Sequence, residues 1–187
     1  GGLVHINWTD KTAEISFLLN TEIEKYRFKS NWSIFLNLIE LIAFEELKAI
    51  AVSKGPGSYT GLRIGVSAAK GLCFALNIPL ISVNTLKSLA SSTTITKGII
   101  IPLLDARRME VYSAIFDSDY SQIREIKAEI IEASSFFNYL EKSKVYFLGD
   151  GAEKCKTLIT HSNAIFVDSK FPSAKEMAQL SYHKYKK

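Results

Sequence analysis

One order of elements occurs twice along this chain, and that repetition constrains the fold more than any single motif. Leu3 to Trp8, Ala13 to Leu19 and Glu22 to Phe28 alternate apolar and polar residues and read as three strands separated by polar turns. Trp32, Phe35, Leu36, Leu38, Ile39 and Ile42 then recur at helical spacing, followed by a strand at Leu47 to Ser53, a glycine loop, a helix, and a strand at Leu80 to Val83. The second half reads the same way. Strands at Ile99 to Leu104, Glu110 to Phe116 and Gln122 to Ile131 lead into a helix at Ser134 to Lys142 and a strand at Lys144 to Leu148. Gly149-Asp150-Gly151, a helical stretch to Leu158 and a strand at Ala164 to Val167 complete a second βββαβαβ order. Ser91 to Lys97, polar and rich in Ser and Thr, reads as the connection. The expectation is an α/β chain with one lobe over residues 1–95, a second over 96–172, and a terminal helix over 173–187 that packs back on the first lobe.

The stretch Ala49 to Ser82 contains the most chemistry. A short apolar run breaks into a glycine loop that opens into a helix, which Ser58 or Thr60 can cap and which Asn77 and Pro79 stop. A helix start of this kind favours anions in any fold. Gly61 is followed by Leu62 and Arg63 rather than Lys and Ser or Thr, so no Walker loop is present. The run from Gly55 to Thr60 lacks the last glycine of a dinucleotide fingerprint, and the strand after the helix ends in Asn84 rather than an acidic residue. Inside the helix Gly61, Gly65, Ala69 and Cys73 recur every four residues, with Ala68, Gly71 and Ala75 beside them. Glycine costs about 1 kcal/mol against alanine in a helix interior, so this small ridge requires a close neighbour. Either the helix lies tight on its own sheet, or the ridge receives a helix from another subunit.

Two segments have a family resemblance. SKGPGSYTGLRIGVSAAKGLCFALNIPLISVNTLKSLA resembles the signature of the YeaZ family, also called TsaB, and LLDARRMEVYSAIF resembles that family's second segment. The resemblance implies the actin-like ATPase superfold, built from two ribonuclease H-like halves. It also implies a non-catalytic subunit that binds and stabilises a TsaD-type paralogue during synthesis of threonylcarbamoyladenosine in tRNA. Trp32, Phe35, Leu36 and Ile39 on the first helix, with Leu62, Gly65, Val66, Ala69, Lys70 and Cys73 on the second, would contact that paralogue. The motif loop is Gly55, Pro56, Gly57, Ser58, Tyr59, Thr60, Gly61 and Arg63, and the second segment offers Asp105, Arg107 and Glu110. The resemblance further implies that a TsaE-type ATPase joins the complex, that a homodimer forms when the partner is absent, and that contact with tRNA is indirect. No metal or catalytic residue is expected, and ATP and Mg²⁺ belong to the partner or the complex interface. Asn7 stands where actin-like ATPases place an acidic residue, with Asp10 as a substitute on the following turn. The start at Gly1-Gly2 reads as a trimmed or tagged beginning, and the resemblance implies either a natural short form or a missing tail beyond Lys187.

Composition narrows the remaining classes. The 187 residues are 47% hydrophobic and 22% charged, enough for a sizeable core and too polar in every stretch for a membrane span, so a cytoplasmic globular chain is expected. Cys73 and Cys155 give no disulfide framework and read as ordinary thiols. The net charge of +4 gathers partly at His183, Lys184, Tyr185, Lys186 and Lys187, a solvated helix end more readily than an RNA-binding tail. Asp105 and Arg107 either orient a carboxylate or form the turn's own ion pair. His5, His161 and His183 support no Ser-His-Asp or zinc arrangement. The alternative function is an actin-like ATPase or sugar-kinase relative using Lys54, Ser58 and Thr60 on phosphates.

Overall fold

A computed structural model describes the backbone of residues 2–8, 12–19 and 22–29, and residues 47–168 and 170–187 with their side chains. Trp32, Phe35, Leu36, Ile39 and Asp10 lie outside the described residues, as does the side chain of Asn7. By internal packing the chain divides into Gly1–Thr85 with Ser173–Lys187, and Leu86–Pro172.

In the first unit β1 (Gly2–Trp8), β2 (Thr12–Leu19) and β3 (Glu22–Lys29) form an antiparallel meander, with Asn7 opposite Glu14. β4 (Leu47–Ser53) and β5 (Leu80–Val83) add in parallel, so the sheet order is β3-β2-β1-β4-β5. Parallel neighbours need a crossover, and α1 (Tyr59–Leu76) supplies it between β4 and β5. β4 is apolar and buried nearly throughout, as a strand covered on both faces must be. Ala49 and Ala51 of β4, with Ile81 and Val83 of β5, meet Met177 of α5 (Ala174–Tyr185). α5 lies along all five strands of this sheet, which anchors the chain's last segment to its first unit. Ser173 caps α5, its hydroxyl accepting from the Lys175 N–H at 3.1 Å.

The second unit repeats the topology. β6 (Ile99–Asp105), β7 (Glu110–Phe116) and β8 (Gln122–Ile130) run antiparallel, and β9 (Val145–Leu148) and β10 (Ala164–Val167) add in parallel, in the order β10-β9-β6-β7-β8. One core packs Ile101, Leu103, Val111, Ile115, Phe136 and Phe147 with Ile159. Another packs Leu86, Leu89 and Ala90 of α2 (Thr85–Ala90) against Ile100, Ala114 and Phe116.

Three differences from the sequence reading have local causes. α2 was not anticipated, and because its apolar residues bury in the second core, the break between units falls at Thr85/Leu86, earlier than the polar Ser91–Lys97 stretch expected to hold it. The helix expected over Ser134–Lys142 shrinks to α3 (Phe137–Leu140), since Phe136 sits in the left-handed region at φ 63 and cannot continue a helix N-terminally. The stretch to Leu158 keeps only α4 (Ala152–Cys155) before it turns.

Candidate functional site

The motif loop is pinned by backbone bonds to the strand beside it. The Lys54 N–H donates to the Val83 carbonyl at 2.8 Å, the Thr85 N–H donates to the Gly55 carbonyl at 3.1 Å, and the buried Ser53 and Thr85 hydroxyls share a bond of 2.5 Å. Gly55 has φ +96, a conformation that L side chains rarely adopt, so glycine is required there. Ser58, not Thr60, is the cap of α1, its hydroxyl accepting from the Gly61 N–H at 3.1 Å. Asn77 ends the helix at φ 53, as the sequence indicated.

The small ridge is interior. α1 packs on β4, β1 and β5, and its buried residues are Gly61, Gly65, Ala69 and Cys73. Cys73 also points its thiol at the Pro79 carbonyl, 3.6 Å away, and burial pushes that thiol up. Gly65, Ala69 and Cys73 are therefore unavailable to another chain, which corrects the reading of the ridge as a docking surface. Their small size lets the helix axis approach its own sheet.

What α1 leaves outside lies opposite the ridge. Tyr59, Arg63, Ser67, Lys70 and Phe74 are exposed, flanked by half-buried Leu62 and Val66. At about 100° per residue, Phe74 sits about 180° round the helix from Gly65. Phe74 is 92% exposed and Tyr59 70% exposed, and the Arg63 guanidinium stacks 4.3 Å over the Tyr59 ring. Gly71 on the same side has open space where a Cβ would stand. Of the residues expected to meet a partner, Leu62, Val66 and Lys70 fit this face. Phe74 was missed, although its position, out of phase with the small stripe, was visible in the sequence.

The second segment forms a hairpin tip in the other unit. Gly149 has φ +108, and a Cβ there would stand 2.2 Å from the Leu103 carbonyl oxygen; the Gly151 N–H donates to that same oxygen at 3.1 Å. These glycines bring Asp150 against the end of β6, where its Oδ1 accepts from the Asp105 N–H at 3.0 Å. Burial raises the Asp150 carboxyl above its ordinary value. The Asp105 Oδ1 accepts from the Arg107 N–H at 3.0 Å and from the Lys154 ammonium. The Lys154 hydrogen bond is the main cause of a lowered Asp105 carboxyl. The ion pair of this tip is thus Lys154–Asp105, and Arg107 contributes only its backbone. Lys154 Nζ also donates to the carbonyls of Arg108 at 2.8 Å and Glu110 at 2.6 Å, so an ammonium already fills the oxygen cage at the end of β6. Sequence reasoning missed Lys154 because it stands 49 positions from its partner.

Among the described residues, no helix is long and apolar enough to cross a membrane, and no three His, Cys, Asp or Glu side chains gather around a metal position.

The chain is similar to a Bacillus subtilis (strain 168) protein described as tRNA threonylcarbamoyladenosine biosynthesis protein TsaB, 36% identical over 121 residues, which cover 63% of this chain and 53% of that one. The chain thus spans about half the length of this curated relative. Among solved structures, YeaZ from Pseudomonas aeruginosa superposes with a TM-score of 0.77 at 19% identity, over 100% of this chain and 92% of that one. AlfA from the B. subtilis plasmid pLS32 superposes with a TM-score of 0.52 at 7% identity, over 96% of this chain and 98% of that one. These likenesses show the fold, an α/β arrangement whose order the sequence repeats and whose actin-like class the family resemblance implied. Residues 38–183 match the family described as TsaD: tRNA N6-adenosine threonylcarbamoyltransferase. The chain belongs to that family, with YeaZ and TsaB members among its relatives.

Proposed function

We propose that this chain is a non-catalytic subunit in the synthesis of threonylcarbamoyladenosine at adenosine 37 of tRNA, binding and stabilising a TsaD-type catalytic paralogue in the cytoplasm. The observation that supports this most is the outer face of α1, where Phe74 and Tyr59 stand in water on a helix whose other side is committed to its own sheet. Large aromatic side chains on a rigid helix are what protein interfaces use as anchors. Leu62, Val66 and Lys70 extend the face, and the same surface makes a homodimer when the paralogue is absent. A TsaE-type ATPase joins the assembly. Nucleotide and Mg²⁺ belong to the paralogue or the interface, a reading supported by Lys154, whose ammonium holds the β6 oxygen cage that a cation would otherwise enter. Ser58 is likewise engaged as a helix cap rather than left to meet a phosphate.

The test is co-elution with the purified paralogue on a sizing column. Wild-type chain co-elutes, and Phe74→Glu elutes folded and apart. Separate elution of the wild type contradicts the subunit reading, and undiminished co-elution of the variant contradicts the assignment of the face.

A further inference from the structure

Arg107 and Arg108 both occupy the left-handed region, at φ 76 and φ 49, in a turn closed by the Glu110 N–H donating to the Arg107 carbonyl at 3.1 Å. Asn, Asp and Gly suit that conformation, and a branched or long side chain there stores strain that the surroundings must hold. The surroundings do hold it. The Arg107 N–H is fixed by Asp105 at 3.0 Å, the Arg108 and Glu110 carbonyls by Lys154, and the Met109 carbonyl by the Ile131 N–H at 3.0 Å. The backbone of the tip is therefore tied at each residue, while both arginine side chains are exposed. Among the described residues neither guanidinium has a carboxylate or carbonyl partner; Asp105 pairs with Lys154, and Asp150 accepts from a backbone N–H.

We propose that the rigid turn carrying Arg107 and Arg108 is a phosphodiester-binding tip that contacts the RNA backbone directly, where only an indirect relation to tRNA was anticipated. A guanidinium fork matches phosphate oxygens, and a strained turn spends stability to aim two of them outward. A protein surface would be met by apolar or aromatic anchors, and this tip presents none: Ala106 and Met109 are half-buried. Lys154 neutralises Asp105 at the base of the turn, which leaves the two exposed guanidiniums as the groups that can grip a polyanion with a phosphate at every nucleotide. The proposal rests on the reading of the chain as part of a tRNA-modifying assembly.

The probe is a fluorescein-labelled, unmodified tRNA transcript, titrated with the chain alone and with its mixture with the paralogue, from 0.1 to 1 M salt. Two phosphate contacts contribute a log–log salt slope of about 1.4, or about 25-fold in affinity across that decade. The Arg107→Gln, Arg108→Gln double variant should lose that part of the slope and the affinity, and the double Lys variant should recover most of the slope. The Arg107→Asn, Arg108→Asn variant should lose binding while its melting temperature holds or rises, which a structural role for the arginines does not allow. An unchanged slope in the Gln variant overturns the proposal, as does absence of RNA binding by chain and mixture alike. Loss of co-elution with the paralogue at unchanged RNA affinity also overturns it, by assigning the tip to a protein carboxylate. Because the chain alone is titrated, failure here is distinct from failure of the subunit reading, which the wild-type sizing column reports.

Discussion

Replacing Lys154 by Met tests whether the hairpin tip is stapled from a distance. Met keeps the length and the helix propensity of the side chain, so what changes is the ammonium. The wild-type group donates to the Arg108 and Glu110 carbonyls at 2.8 and 2.6 Å and pairs with Asp105, with the lysine side chain 20% exposed and the aspartate 51% exposed. The exposed ion pair is discounted to well under 1 kcal/mol. Hydrogen bonds from a charged donor to partly buried carbonyls carry more, and together the substitution should cost about 2–4 kcal/mol at pH 7. The sign with pH follows from Asp105, whose folded carboxyl is held low by Lys154. Its contribution is present above the unfolded value of about 3.9 and is lost as pH falls through the folded value. The gap between wild type and variant should therefore begin to narrow as pH falls toward the unfolded value and go on narrowing below it, as read by urea unfolding followed by circular dichroism. A loss below about 0.5 kcal/mol at pH 7, the range of ordinary surface substitutions, would show that the lysine is merely solvated and refute the staple.

Other outcomes follow from the same geometry. Gly149→Ala should destabilise the second unit by more than about 3 kcal/mol in urea unfolding, since its Cβ meets the Leu103 carbonyl and the backbone must move. Gly65→Leu should yield insoluble or molten protein rather than a folded chain that ignores its partner, because the position is interior; a native circular dichroism spectrum would contradict this. Cys155 is fully buried, its thiol donates to the Gly151 carbonyl at 3.1 Å, and burial pushes it up to about 11, so it should resist a thiol reagent at pH 8 until the chain unfolds. Ser58→Ala should lower stability by about 1 kcal/mol through loss of the α1 cap, measured by thermal unfolding.

The strands were legible because each has its own local signature. β4 and β6 are continuous apolar runs and β8 is a polar edge strand, and both patterns survive in the burial of those residues. The doubled order then fixed the topology, since two parallel additions to a meander leave few ways to pair. The helix faces were harder to read. Gly61, Gly65, Ala69 and Cys73 permit close approach by anything, and only the position of the sheet decides that β4 and β1 are the neighbours. α2 escaped because Leu86, Leu89 and Ala90 give barely one period of pattern before a polar run. The hairpin tip was half visible: the charges of Asp105, Arg107 and Arg108 are local, whereas their division into a paired acid and two unpaired cations depends on Lys154, brought in by the Gly149-Asp150-Gly151 turn.

The most direct measurement is photocrosslinking from position 74. Fully burying a phenylalanine contributes about 1.5–3 kcal/mol, roughly 10- to 150-fold in affinity, so a partner seated on α1 must cover this ring. With a benzophenone amino acid in place of Phe74, irradiation of the mixture with the TsaD-type paralogue should give a covalent heterodimer, while the same group at exposed Gln122 on β8 should give none. A heterodimer formed from position 122 and not from 74 would contradict the account.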